Sequence, residues 1–172
     1  MDPSPPLVKT ERLEGWKPVS ETVERAFSAG PVSVTAGTVR YEPADRTDPK
    51  PFVFASRLAI RPKTNPNPML TRLVERGARD GFRGRLAEND IGDVEHRHTR
   101  EFPIDEPPDT VATAHTFHGR CVVDGESVPI EAFLAVWEAG EYLLAGGAYP
   151  LVGDVDGTRR RIRAIIRGVR PE

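Results

Sequence analysis

Lysine is scarce in this chain of 172 residues. Four of the 24 basic residues are lysines (Lys9, Lys17, Lys50 and Lys63), leaving twenty arginines. The formal net charge is only -2, so these arginines give no global pull toward nucleic acid or an anionic membrane. Cys121 is the single cysteine, which excludes an intrachain disulfide and a thiolate metal cluster. It reads as a small core hydrophobe. The first ten residues, MDPSPPLVKT, contain no apolar signal core, and no stretch approaches the roughly 18 apolar residues that span a bilayer. A cytoplasmic protein without membrane attachment is expected. Catalytic signatures are missing too. There is no G-x-S-x-G elbow and no H-E-x-x-H, and no Gly-Lys-Ser/Thr follows the glycines of LAGGAYP. Those glycines are expected to let a helix or ligand approach a strand closely. The motifs point to no cofactor.

Proline, by contrast, is abundant: 17 residues, about twice the usual share of roughly 5%. The prolines cluster and so mark the breaks between elements. The length suits one domain, expected over 7–172 behind a disordered tail at 1–6. PVSETVERAF reads as a short helix capped by Ser20, with Val19, Val23, Ala26 and Phe27 on one side. PVSVTAGTVRYE and PFVFASRLAIRP read as strands joined by the loop PADRTDPKP. A glycine-weakened helix is expected over 67–89, with Met69, Leu70, Leu73, Val74 and Phe82 near helical spacing. Four strands should follow, at about 93–104, 110–123, 127–138 and 141–151. The closing TRRRIRAIIRGVR carries Ile162, Ile165, Ile166 and Val169 at i, i+3, i+4 and i+7. That stripe predicts a helix docked on a core, with the arginines as its solvated face, which argues against nucleic-acid binding.

Two turns orient the side chains. Asp124-Gly125 between alternating runs predicts a two-residue hairpin. Cys121 then faces Val128, Phe117 faces Ala132, His115 faces Leu134 and Thr113 faces Val136. A similar turn at Ala139-Gly140 would pair Glu138 with Glu141, Leu134 with Ala145, and Ile130 with Tyr149. Leu143 and Tyr149 would then share a face with Phe117, and Tyr142, Leu144, Gly146 and Ala148 would share the other with Phe133. Both faces of the last two strands are apolar, so both need cover. The expected fold class is α+β: a three-layer α/β/α sandwich around a mostly antiparallel sheet of about six strands, with the C-terminal amphipathic helix packed on it.

The run VEHRHTREF places Val94, His96, His98, Arg100 and Phe102 on one side of a strand. The less polar side should join the face of Phe117, with His98 opposite His115 and His118 on the other face. His96, His98 and His115, with Arg100, are therefore the candidate ligand-binding residues. Three imidazoles could hold zinc, but no second-shell carboxylate is evident, and no metal is expected.

The residues WKPVSETVERAF followed by VTAGTVRYE, and GRCVVDGESVPIEAFLAVWEAGEYLLAGGAYP before a terminal helix, resemble an uncharacterised family of small haloarchaeal proteins. Some of its members are predicted lipoproteins; this chain lacks the lipobox cysteine. The order of elements is similar to the PsbP and Mog1 type of fold. The resemblance implies a soluble domain that docks on a larger partner and assigns no catalytic residue. The expectation is a non-catalytic domain binding a protein partner or small ligand. The alternative is a metal-dependent enzyme using the histidine face.

Overall fold

The Asp124-Gly125 hairpin forms as its chemistry requires, with both residues at positive φ (52° and 81°). In the computed structural model, which describes residues 2–29, 31–44 and 50–171, it joins β6 (Thr110–Val123) to β7 (Glu126–Glu138). The four pairings expected across it are all observed. The next turn differs. Glu138 pairs with Tyr142, so the loop holds three residues, with Gly140 at φ 78° and the Ala139 N–H donating to the Glu141 carbonyl at 2.9 Å. A two-residue turn would ask Ala139 for the left-handed conformation that only Gly140 adopts cheaply. The one-residue difference reverses β8 (Tyr142–Pro150). Tyr142, Leu144 and Ala148 join Phe117, while Leu143, Ala145 and Tyr149 join Phe133.

The remaining elements are β1 (Leu7–Val8), β2 (Trp16–Ala29), β3 (Val32–Pro43), β4 (Phe52–Arg61), α1 (Pro68–Glu88), β5 (Ile91–Ile104), α2 (Val155–Arg167) and β9 (Val169–Arg170). Seven strands form one antiparallel sheet in the order β2-β3-β4-β8-β7-β6-β5, and β1 pairs with β9 beside it. The expected three helices over about six strands are thus two helices on seven strands. PVSETVERAF is the difference: it lies within edge strand β2, paired with β3 from Trp16↔Pro43 to Ala29↔Val32. Its apparent helical stripe has a strand explanation. A bulge between Arg25 and Phe27 lets consecutive Ala26 and Phe27 both pack on the core, while Val19 and Val23 stay exposed. Of the loop at 43–51, residues 45–49 lie outside the described residues. Residues 2–6 carry no helix or strand, yet Pro3 and Pro6 are buried, and a side chain at Gly37 would strike the Pro3 carbonyl.

α1 starts at Pro68 with Asn67 as cap, its side chain accepting from the Leu70 N–H at 2.9 Å. It buries Leu70, Val74, Ala78, Phe82 and Leu86 against the sheet face of Phe117 and Cys121, whereas Met69 is exposed. Gly77 is where that helix meets β2, for a Cβ there would sit 2.5 Å from the Phe27 ring. Gly146 and Gly147 serve neighbouring strands rather than a helix or ligand. Added Cβ atoms would lie 2.6 Å from the Phe133 carbonyl oxygen and 2.4 Å from that of Phe52.

The other face carries α2, capped by Asp154, whose carboxylate accepts from the Gly157 N–H at 3.0 Å. Ile162, Ile165 and Ile166 are fully buried there, as their spacing predicts, whereas Val169, buried with them, lies past the Gly168 cap in β9 and not on the helix. Replacing Ile165 with alanine should therefore cost about 2–5 kcal/mol. Arg160, exposed, should tolerate alanine within about 0.5 kcal/mol. Urea unfolding of both variants checks this, and equal midpoints would mean that α2 is not docked.

Candidate functional site

Strand β5 must satisfy two apolar demands of opposite parity. Near its start the His96 ring meets Phe117, 5.4 Å between centroids; near its end Phe102 meets Phe133 at 5.1 Å. Phe117 belongs to the α1 side of the sheet and Phe133 to the α2 side. Residues 96 and 102 are an even number apart, so regular alternation would put them on one face. A bulge resolves the conflict: His96 pairs with Phe117, Arg97 is left over, and His98 pairs with Thr116. Thr99, not His98, then stands opposite His115.

The expected single face of His96, His98, His115 and Arg100 is thereby divided. His96 and His115 lie on the α1 side, while His98 and Arg100, with Phe102, lie on the α2 side. His118 takes the α2 side as expected, and the bulge brings His98 there too. Next to the Pro107 and Pro108 link the register is one residue off the anticipated one, Ile104 pairing with Thr110, and the bulge at Arg97 restores the anticipated partner at His96. Among the described residues no three His, Cys, Asp or Glu side chains are grouped so that they could hold a metal ion.

On the α1 side a chain of polar contacts runs inward from solvent. His96 Nε2 is 2.9 Å from Thr99 Oγ1, and that oxygen is 3.0 Å from His115 Nδ1. The opposite nitrogen of His115 lies 3.5 Å from Glu75 Oε1 of α1. His96 and Thr99 are exposed, whereas His115 is only 3% exposed. Burial holds the His115 pKa below the ordinary histidine value; the Glu75 carboxylate opposes this, and Arg79 and His96 add to it. Neither His115 Nε2 nor Glu75 Oε1 has a well-directed hydrogen bond, and the two lie within ion-pair distance of each other.

The α2 side is organised around Glu131, 7% exposed and the one charge between Ile130 and Trp137 of β7. Arg159 of α2 donates to its carboxylate from Nε at 2.8 Å and from the terminal nitrogen at 3.3 Å. Arg159 Nε also reaches the Tyr149 hydroxyl oxygen at 3.0 Å, and His118 Nε2 lies 3.1 Å from Glu131. Around this pair stand more cations. Arg163 is placed over the Phe133 ring, 5.4 Å from its centroid. Burial lowers its pKa, Arg159, Arg100 and Arg167 lower it further, and Glu131 opposes them. His98 is also held below its ordinary value, by desolvation and then by Arg100, with Glu131 opposing. Among the described residues, no carboxylate is within ion-pair distance of Arg100, Arg163 or Arg167.

Sequence reasoning found His98 and Arg100 but missed their neighbours. Two signals were available. Arg159, Arg163 and Arg167 recur at i, i+4 and i+8 beside the isoleucine stripe. Glu131 is the one charge in the apolar run from Ile130 to Trp137, where a buried carboxylate needs partners. Thr99 could not be found without the bulge.

Two outcomes follow. After dialysis against trace zinc, elemental analysis should find no stoichiometric zinc, because the sheet separates the imidazoles; one bound equivalent, lost in His96→Ala, would contradict this. Stability should also respond to His115. Its folded pKa is lowered, so the unfolded chain binds more protons as pH falls below the ordinary histidine value of about 6.5. The stabilisation is complete above that value and is lost as pH falls toward the lower folded one. Urea midpoints from pH 8 to 5 should decline, and less steeply in His115→Gln.

No helix among the described residues is long and apolar enough to cross a membrane. No curated protein and no solved structure matches the chain. A family model described as a domain of unknown function, DUF6517, matches residues 5–170, and the chain belongs to that family.

Proposed function

We propose that this domain is a non-catalytic binding module and that its α2 side receives an anionic group, a carboxylate or phosphate carried by a small molecule. The observation that carries this reading is the surplus of guanidinium groups around one carboxylate. Glu131 is already engaged by Arg159 and His118, while Arg100, Arg163 and Arg167 have no carboxylate within ion-pair distance among the described residues. Like charges crowded beside a low-dielectric surface repel one another, and a bound anion relieves that repulsion. Guanidinium is well suited to such a site, being planar, weakly hydrated and able to grip a carboxylate or phosphate with two parallel hydrogen bonds. His98 supplies a further donor beside Arg100. The division of the histidines between the two faces weighs against the metal-dependent alternative.

The test uses citrate and tripolyphosphate as probes, followed by titration calorimetry and by amide shifts on α2 and β5. At low salt one of them should bind with a dissociation constant below about 1 mM, with shifts centred on Arg100 and Arg163. A charge-assisted hydrogen bond contributes about 1.5–3 kcal/mol, so Arg100→Gln with Arg163→Gln should weaken binding at least about tenfold. Arg160→Gln with Arg161→Gln should leave it nearly unchanged. Absence of binding, or equal losses in both double variants, would defeat the proposal.

A further inference from the structure

The contacts from His96 to Glu75 impose a direction on their protons. Thr99 Oγ1 sits between two imidazole nitrogens, 2.9 Å from His96 Nε2 and 3.0 Å from His115 Nδ1. A hydroxyl has one proton, so it donates to one ring and must accept from the other. Glu75 decides which. The pair makes no well-directed hydrogen bond, but a carboxylate attracts a proton and repels a bare lone pair, so the His115 nitrogen facing it at 3.5 Å, Nε2, is the one that carries hydrogen. A neutral His115 then has a bare Nδ1 and receives the Thr99 proton. His96 must therefore donate its Nε2–H to Thr99. The order runs one way, from exposed His96 through Thr99 and His115 to Glu75.

We infer that this row is a proton relay, an acid-responsive port through which buried His115 gains a proton from solvent without separation of α1 from the sheet. When His96 is protonated at its outer nitrogen, its Nε2 proton passes to the Thr99 oxygen as the Thr99 proton passes to His115 Nδ1. One proton enters and one positive charge moves inward. Neutral His96 and a neutral Thr99 hydroxyl remain, and an imidazolium faces the Glu75 carboxylate. The groups around His115 set how readily this occurs. Glu75 favours the charged ring, while Arg79 of the same helix and His96 of β5 disfavour it. The side chains placed beside His115 on its own strand and across on β7, Phe117 and Leu134, are apolar. The β-bulge at Arg97 belongs to the device, because without it His98 would stand opposite His115 and no hydroxyl would bridge the rings.

The test is an NMR titration of the imidazole nitrogens between pH 8 and 4.5 in the full chain. At neutral pH His115 should show a bare Nδ1 and a protonated Nε2. Thr99→Val removes both the bridge and the acceptor for an imidazolium Nδ1–H. It should move the His115 midpoint to lower pH; Thr99→Ser should restore the natural behaviour. Glu75→Gln should also lower the His115 midpoint, since the carboxylate favours the cation. A protonated Nδ1 on neutral His115 would overturn the inference. So would identical His115 titrations in the natural protein and Thr99→Val, with both variants folded by their amide spectra. A loss of stability alone would leave the His115 midpoint in place and so also counts against the relay.

Discussion

Strands β7 and β8 have almost no wet face. Every residue from Ile130 to Trp137 and from Tyr142 to Pro150 is buried, so the centre of the sheet exists only if both sides are covered. Covering one would leave a row of large apolar side chains in water, at roughly 25 cal/mol for each Å² exposed. Each helix answers this with a single stripe, α1 through Val74, Phe82 and Leu86, α2 through Ile162, Ile165 and Ile166. The chain ends are drawn in by the same need, since β1 reaches Val169 and Arg170 immediately after α2. A buried charge in this layer has to bring its own partners, and Glu131 does so with Arg159 and His118.

The edges of the sheet follow a different rule. β2 and β5 each have one strand neighbour, and each contains two irregularities of register. Bulges at edges blunt further strand pairing, and here they also choose which residues face the core. At Arg97 one extra residue converts a single cluster of histidines into two half-clusters with different chemistry. One, under α1, is nearly closed to solvent at His115 and is suited to holding or moving a proton. The other, beside α2, is rich in guanidinium and suited to holding an anion.

What the sequence showed depended on how local its cause was. The β6–β7 register was legible because Asp124-Gly125 is itself the turn. The α2 stripe was legible because Ile162, Ile165 and Ile166 follow one unbroken period. The β7–β8 register was read one residue short, since Ala-Gly does not reveal whether alanine or glycine opens the loop. PVSETVERAF was misread because a bulged strand and a short helix can both place Ala26 and Phe27 inward, and only the partner strand β3 separates them. The bulge in β5 has no local signature at all. It arises from His96 and Phe102 each seeking an aromatic partner on opposite faces, and those partners lie 21 and 31 positions away in sequence. The candidate site depended on that bulge, so its members were named while their grouping was not.

The composition acquires a physical meaning in this setting. Docking of α2 is accounted for by the isoleucine stripe and by Arg159, which alone among its arginines reaches Glu131 through hydrogen bonds. Arg163 and Arg167 add nothing comparable to that contact, and Arg167 is exposed. A helix needing only solubility could carry lysine at these positions, spread its charges and avoid the repulsion that Arg163 meets from Arg159, Arg100 and Arg167. Instead the cations are gathered beside Phe133, where a ring face and a flat guanidinium lie together. Gathering like charge at a partly buried surface costs folding energy, which Glu131 offsets at Arg163 against the repulsion of its neighbours. The cationic surplus is therefore separable from the fold that displays it, which is why the proposed anion site can be tested by substitutions that leave the isoleucine stripe intact.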